Sequence, residues 1–374
     1  MTDPRSPSRR IGLLTGGGDC PGLNAVIRGF TRAARGTWGA TVVGIEDGFE
    51  GLIEGRMREL DYQEVAGLIG EGGTMLGTTN RGDPWHYPIR GGDGAVTIRD
   101  ASARALERIR EARLDALVVV GGDGSMHIAQ RFVELGVPVV GVPKTIDNDL
   151  SATDTTFGFD TAVSIVSEAI DRLTTTASSH HRVMVIEVMG RYAGWIALAG
   201  GMAGGADTIL IPEIPFRWEA VFRHVRHRAM RGRRFSIVCV AEGATLPEGG
   251  EVLKGIDRRR TDAKQLGGIG AVVARRIEEG TGLETRVTVL GHLQRGGTPT
   301  AYDRILATRF GVAAAQAACR GASGVMVALR GTEIVEVPIA ESIATLRTVP
   351  PDHPWVDAAR AVGTRFGDEL EQQP

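Results

Sequence analysis

Seven consecutive residues, Pro143-Lys144-Thr145-Ile146-Asp147-Asn148-Asp149, bring an ammonium, a hydroxyl, an amide and two carboxylates together directly after an apolar run. An ionised Asp147 in such a cluster can take the proton of an attacking hydroxyl, and Asp149 can orient a metal ion or a neighbouring cation. Asn and Asp also favour turns for local hydrogen-bonding reasons, so the alternative is an Asp-rich turn without chemistry. A second cluster, Gly121-Gly122-Asp123-Gly124-Ser125, also ends an apolar run. Its glycines let backbone approach a polyphosphate, and Asp123 offers an oxygen ligand suited to magnesium bridging phosphates. In a third cluster, Gly16-Gly17-Gly18-Asp19-Cys20-Pro21-Gly22, glycine amides and the start of the following helix can cradle a phosphate, with Arg28 and Arg32 one turn apart on that helix. This third cluster is not a dinucleotide fingerprint, because Pro21 stands where glycine is required. No Gly-Lys-Ser/Thr follows either, so a nicotinamide oxidoreductase and a Walker-type nucleotide site are both disfavoured.

The elements that must position these clusters alternate. Strands are expected at 11–15, 42–45, 114–120, 137–142, 183–188, 208–211, 236–240 and 286–290, and helices at 24–34, 101–111, 126–135, 160–174, 218–230 and 267–278. Strand-helix alternation predicts an α/β protein with two doubly wound, mainly parallel sheets, whose ligands lie at the carboxyl ends of strands. Polar groups beside glycine recur at such ends: Met189-Gly190-Arg191, Glu242-Gly243 and Gly291-His292-Leu293-Gln294-Arg295. The glycine-rich loop 72–81, ending Thr78-Thr79-Asn80-Arg81, can face the same crevice, a plain surface loop being the alternative. Residues 245–265, with Lys254 and a charge run from Asp257 to Lys264, read as a mobile insertion without a direct role.

Composition narrows the class. At 374 residues and 42% apolar content the chain can build roughly two to three cored domains. Its formal net charge of -2 carries no basic excess of the kind that marks a nucleic-acid partner. Three cysteines far apart, Cys20, Cys239 and Cys319, fit a reduced cytoplasmic protein better than a disulfide scaffold or a zinc site. Residues 1–8 read as a flexible lead-in, and no apolar run suggests a signal peptide or a membrane span.

Taken in order, the clusters at 16–22, 121–125, 145–149, 189–191 and 291–297 resemble the 6-phosphofructokinase family over nearly the whole chain. The resemblance implies ATP-dependent transfer of the γ-phosphoryl group to the 1-hydroxyl of fructose 6-phosphate, with magnesium and an active site in a cleft between two domains. It implies an ATP- and magnesium-binding domain of 9–158 plus about 294–344, and a sugar-phosphate domain of about 159–293 plus 345–374. Gly18, Asn80, Arg81, Gly122, Asp123, Gly124 and Ser125 would meet the donor, Asp123 holding the metal. Asp147 would be the base, Thr145 would contact the transferred group and Arg191 would stabilise its charge. Ile146, Met189, Gly190 and Glu242 would bind the sugar, and Arg182, Arg286, His292 and Arg295 its 6-phosphate. Arg182 and Arg286 would come from a neighbouring subunit, implying a homodimer or homotetramer. Arg28, Arg32 and Arg56, with Glu213, Arg231 and Arg233, match the charge pattern of an effector pocket. A pyrophosphate-dependent enzyme is the alternative, Gly124 favouring ATP and Lys144 pyrophosphate. A non-catalytic sugar-phosphate sensor is opposed by the intact set Asp123, Thr145, Asp147 and Arg191.

Overall fold

The computed structural model describes residues 9–90, 96–256 and 264–369, so the lead-in 1–8, the charge run 257–263 and the tail 370–374 lie outside the described residues. Strands rich in Val, Ile and Leu and buried on both faces need helices above and below, the signature of parallel sheets. Ala116–Gly121, Val183–Val188 and Ser236–Ala241 are buried at every position. The larger sheet has seven strands in the order Glu333–Pro338, Val325–Arg330, Val139–Pro143, Ala116–Gly121, Arg10–Thr15, Thr41–Ile45 and Met57–Leu60. Its five inner strands run parallel and both edge strands antiparallel. The smaller sheet, in the order Thr285–Val289, Val183–Val188, Ser236–Ala241 and Thr208–Leu210, is parallel throughout. The expected doubly wound α/β architecture is therefore present.

From Arg10–Thr15 the chain pairs Thr41–Ile45 on one side and Ala116–Gly121 on the other. That reversal of strand order opens a crevice above their carboxyl ends. Two differences from the sequence reading follow from packing. The glycine-punctuated stretch after the second strand closes into the helix Gly48–Glu54, whose Phe49, Leu52 and Ile53 enter the core. The helix expected at 126–135 begins earlier, running Asp123–Glu134 behind Gly122, so Asp123, Gly124 and Ser125 form its first turn.

The two sheets are stitched at helix starts. Buried Asp303, near the start of Ala301–Arg320, accepts hydrogen bonds through Oδ2 from Thr161 N (2.8 Å) and Thr161 Oγ1 (2.5 Å) at the start of Phe159–His180. Thr300 completes the joint by donating its amide to Thr161 Oγ1 (3.0 Å) and its hydroxyl to Asp160 Oδ2 (2.6 Å). After Ser342 the chain returns to the smaller sheet, where Val349 N donates to Glu213 Oε1 (2.8 Å) and the helix Pro354–Ala361 packs on Trp195–Ala203.

Candidate active site

Six strand ends, three from each sheet, open onto one cleft of about 960 Å³. The larger sheet delivers Gly17, Gly18 and Asp19 after Arg10–Thr15, Gly122 to Ser125 after Ala116–Gly121, and Lys144, Thr145, Asp147 and Asp149 after Val139–Pro143. The smaller sheet delivers Met189 and Arg191, then Glu242, then Gly291, His292 and Arg295. Glycine is required where the second loop folds back on itself, since a Cβ at Gly121 would lie 2.2 Å from that of Ser125.

The turn at 145–149 is pinned from outside. Thr156 Oγ1 donates to Thr145 O (2.6 Å), Thr156 N to Asn148 Oδ1 (3.0 Å), and Arg347 N to Asp149 O (2.8 Å). Asp147 N donates to Thr145 Oγ1 at 3.0 Å, and Asn148 holds φ of 54°, a conformation Asn tolerates. A turn built only for local bonding would consume its carboxylates. Here Oδ1 of both Asp147 and Asp149 is buried without a hydrogen-bond partner. Such oxygens are costly unless a ligand supplies the missing contact.

Burial dominates the electrostatics. It pushes Asp147 up, against the opposing pull of Arg295, Lys144 and Arg191. It pushes Asp149 up to about 7, with the Asp147 charge adding to the effect, and raises Asp123, which His127 offsets. Glu242 is likewise pushed up to about 7, first by burial and then by Asp147 and Glu187. A raised carboxyl binds its proton more tightly when folded, so its contribution to stability is present at low pH and lost as pH rises from 4.5 to about 7. Glu242→Gln should therefore raise the melting temperature of the ligand-free protein at pH 8, the gain shrinking to nothing toward acid. A scan across pH checks this, and a variant that melts lower at pH 8 overturns it.

The glycine-rich loops are firmly braced. Thr78 Oγ1 donates to Gly17 O (2.6 Å) and Gly17 N to Thr79 O (3.2 Å), so the 72–81 loop does face the crevice and Asn80 and Arg81 line it. Asn24, which the sequence reading passes over, holds that loop by donating to Gly72 O (3.1 Å) and accepting from Met75 N (2.8 Å). The following helix start at Leu23 is itself buried, so the glycine loop rather than that helix end faces the cleft. Lys144 is 4% exposed and its Nζ donates to Gly18 O, so it is anchored rather than free to swing.

Other expected residues are placed differently from the sequence reading. The side chain of Ile146 is fully buried in the core, and Gly190 forms a backbone turn at φ 127°. Arg295 turns toward the Gly16–Cys20 loop, donating to Asp19 O at 3.0 Å. Arg182 and Arg286 both pair with Glu284 at the amino ends of their strands, the opposite side of the sheet from the cleft. Of the effector set, Arg32 lies over the Tyr62 ring, Arg56 pairs with Asp47 and Glu54, and Glu213 accepts from the amides of Gly194 and Val349. Arg28, Arg231 and Arg233 do not line the cleft.

The sequence reading also missed cleft residues. Lys254 and Leu266 reach it from the antiparallel pair Leu253–Ile256 and Lys264–Leu266, so the described parts of the segment read as a mobile insertion without a role pair as strands and line the site. Glu187 lines it too, its carboxylate accepting from Gly268 N (3.1 Å) and Gly270 N (2.8 Å). Fully buried Gln294 accepts from Met189 N (3.2 Å) and fixes that loop.

The oxygen chemistry fits magnesium. Asp123 lines the cleft, and Asp149 is near enough to feel its charge and keeps an orphaned oxygen. No cluster of three or more His, Cys, Asp or Glu suited to a metal occurs among the described residues, so phosphate oxygens and water would supply the remaining ligands, as magnesium prefers.

Such a cleft between two mainly parallel sheets, with glycine loops on one side and carboxylates amid cations on the other, defines an α/β protein with its ligand cleft at the carboxyl ends of both sheets. Comparison with known sequences narrows this. The family profile described as Phosphofructokinase matches residues 10–318. An ATP-dependent 6-phosphofructokinase of Chloroflexus aurantiacus is 54% identical over 366 residues, 98% of this chain and 99% of that protein. A pyrophosphate–fructose 6-phosphate 1-phosphotransferase of Amycolatopsis methanolica is 51% identical over 344 residues, 92% of this chain and 97% of that protein. Among solved structures, phosphofructokinase from Saccharomyces cerevisiae superposes with a TM-score of 0.75 at 32% identity over 90% of this chain, which spans only 45% of that longer one. The chain belongs to the phosphofructokinase family.

Proposed function

We propose that the protein is an ATP-dependent 6-phosphofructokinase, converting ATP and fructose 6-phosphate into ADP and fructose 1,6-bisphosphate. The observation that carries this reading is the orphaned oxygen of Asp147, in a pinned turn beside Thr145 and within the field of Arg295, Lys144 and Arg191. A bond forms between the sugar's O1 and the γ-phosphorus as the bond from that phosphorus to the β–γ bridging oxygen breaks. The hydroxyl proton passes to Asp147, whose burial raises its proton affinity above that of an ordinary carboxylate, the direction that strengthens a base. Thr145 contacts the transferring group and Arg191 offsets its developing charge, alignment and neutralisation being most of what phosphoryl transfer asks of a protein. Asp123, together with phosphate oxygens, would hold a magnesium ion, whose charge would offset that of the donor.

The lobe of 9–158 and about 294–344 takes the donor through Gly18, Asn80, Arg81 and the helix start at Gly122 to Ser125, where amides and the helix dipole favour anions. The lobe of about 159–293 and 345–374 takes the sugar through Met189, Glu242 and His292. Arg182 and Arg286, facing away from their own cleft, serve the site of a neighbouring subunit in a homodimer or homotetramer; full activity in a sedimenting monomer would overturn this. Three free thiols suit a reducing cytoplasm, and among the described residues no helix is long and apolar enough to cross a membrane.

Relatives named for ATP outnumber those named for pyrophosphate at similar identity, which supports ATP as the donor. Gly124 supports it too, because it adds no carboxylate to the helix start beyond that of Asp123, while Lys144 is already engaged by Gly18. Assaying the protein with fructose 6-phosphate, magnesium and each donor in turn should give turnover with ATP. Turnover with pyrophosphate alone would reverse the donor and leave the sugar reading standing.

A further inference from the structure

Among the described residues of one chain, the cleft offers few cations for a second phosphate once Arg81 and Lys144 serve the donor and Arg191 the transferred group. Arg295 is turned to Asp19, and Arg182 and Arg286 lie at the other side of the sheet. His292 remains, and so does Lys254, which enters from the Leu253–Ile256 strand and lines the cleft among Glu187, Leu266, Val289 and His292. Its ammonium rests over a backbone with no side chain: a Cβ at Gly267, where φ is 126°, would lie 2.6 Å from Lys254 Nζ and 3.3 Å from Glu187 Oε1. Glu187 accepts from the amides of Gly268 and Gly270, and one carboxylate cannot satisfy all three donors of an ammonium.

We infer that Lys254 binds the phosphate of the acceptor sugar, adding a cation from the chain's own hairpin to those expected from a neighbouring subunit. The inference rests on the proposed reaction, since it needs an acceptor with a phosphate remote from the reacting hydroxyl. A point charge on a flexible stem suits this place, reaching the oxyanion without the fixed fork that arginine imposes. The residue is exposed on a two-stranded pair, so its replacement leaves the core untouched.

The test compares wild type, Lys254→Ala and Lys254→Arg in steady state with fructose 6-phosphate and ATP, together with calorimetric binding of fructose 6-phosphate alone. Lys254→Ala should raise KM and Kd for the sugar phosphate by about tenfold or more, the scale of one charge-assisted contact. The KM for ATP should stay within about twofold, as should kcat, because an interaction made equally in ground and transition states affects binding alone. Lys254→Arg should recover most of the affinity. An unchanged KM for the sugar phosphate, or an equal rise for ATP, overturns the assignment while the proposed reaction stands. Absence of wild-type turnover with fructose 6-phosphate overturns both.

Discussion

Asp147→Asn should cut kcat by at least about a hundredfold, the low end for loss of a general base, while fructose 6-phosphate still binds. The amide keeps the size of the carboxyl group and the turn's Thr145 contact, which is made through the backbone N of residue 147. What it loses is the capacity to take a proton. Binding should hold or tighten, since one negative charge leaves a cleft meant for two anions. The substitution also removes a charge that raises both Asp149 and Glu242, so both should titrate at lower pH in the variant. Kinetics on the purified, folded variant, with calorimetry for the sugar phosphate, separate these effects. Near-normal turnover would remove Asp147 from the role of base.

Gly124→Asp should abolish ATP turnover and, with Lys144 present, open a weak pyrophosphate activity. Gly124 lies in the first turn of Asp123–Glu134, directly after the expected metal ligand. A carboxylate there brings bulk and like charge to the place where the inner phosphates of a nucleotide must lie, and such a block excludes one ligand without improving another. An acid in the first turn of a helix is favourable to the fold, so lost activity would not reflect unfolding. The pyrophosphate gain should stay small, because Lys144 must share or release its bond to Gly18 O before it can meet the donor. Rates with both donors measured side by side check this, and undiminished ATP turnover would take donor selection away from position 124.

The parts of the site that were legible in the sequence are those where an apolar strand runs into glycine and charge. Parallel strands covered on both faces must be apolar for their whole length, so the change of composition at Gly16, Gly121, Lys144, Met189 and Glu242 marks where each emerges. Residues that act through remote contact gave no such mark. Asn24 sits in a helix-spaced run and shows its role only when the 72–78 loop folds onto it. Lys254 lies in a polar stretch whose strands are short and bulged, where period-two patterning has no length to appear. The helix Ala301–Arg320 escapes periodicity for another reason: Tyr302, Ile305 and Val312 stand on its exposed face, so apolar residues occur on both sides and blur the alternation. Asp303 looks like an ordinary helix-start acid, and only the second helix reveals it as the joint between the sheets.

Because each of the six strands contributes at its carboxyl end, the two rims of the sheets differ in how freely they can change. A connection that enters a strand can lengthen without disturbing what that strand presents, since the ladder fixes the register beyond it. A connection that leaves a strand begins inside the cleft, and every residue added there is added to the binding surface. The segment after Ser236–Ala241 illustrates this: it departs from the cleft at Glu242, and its paired strands bend back to place Lys254 and Leu266 against the opening. New ligand preferences in this architecture can therefore arise by growth of one rim, with neither sheet having to be rebuilt.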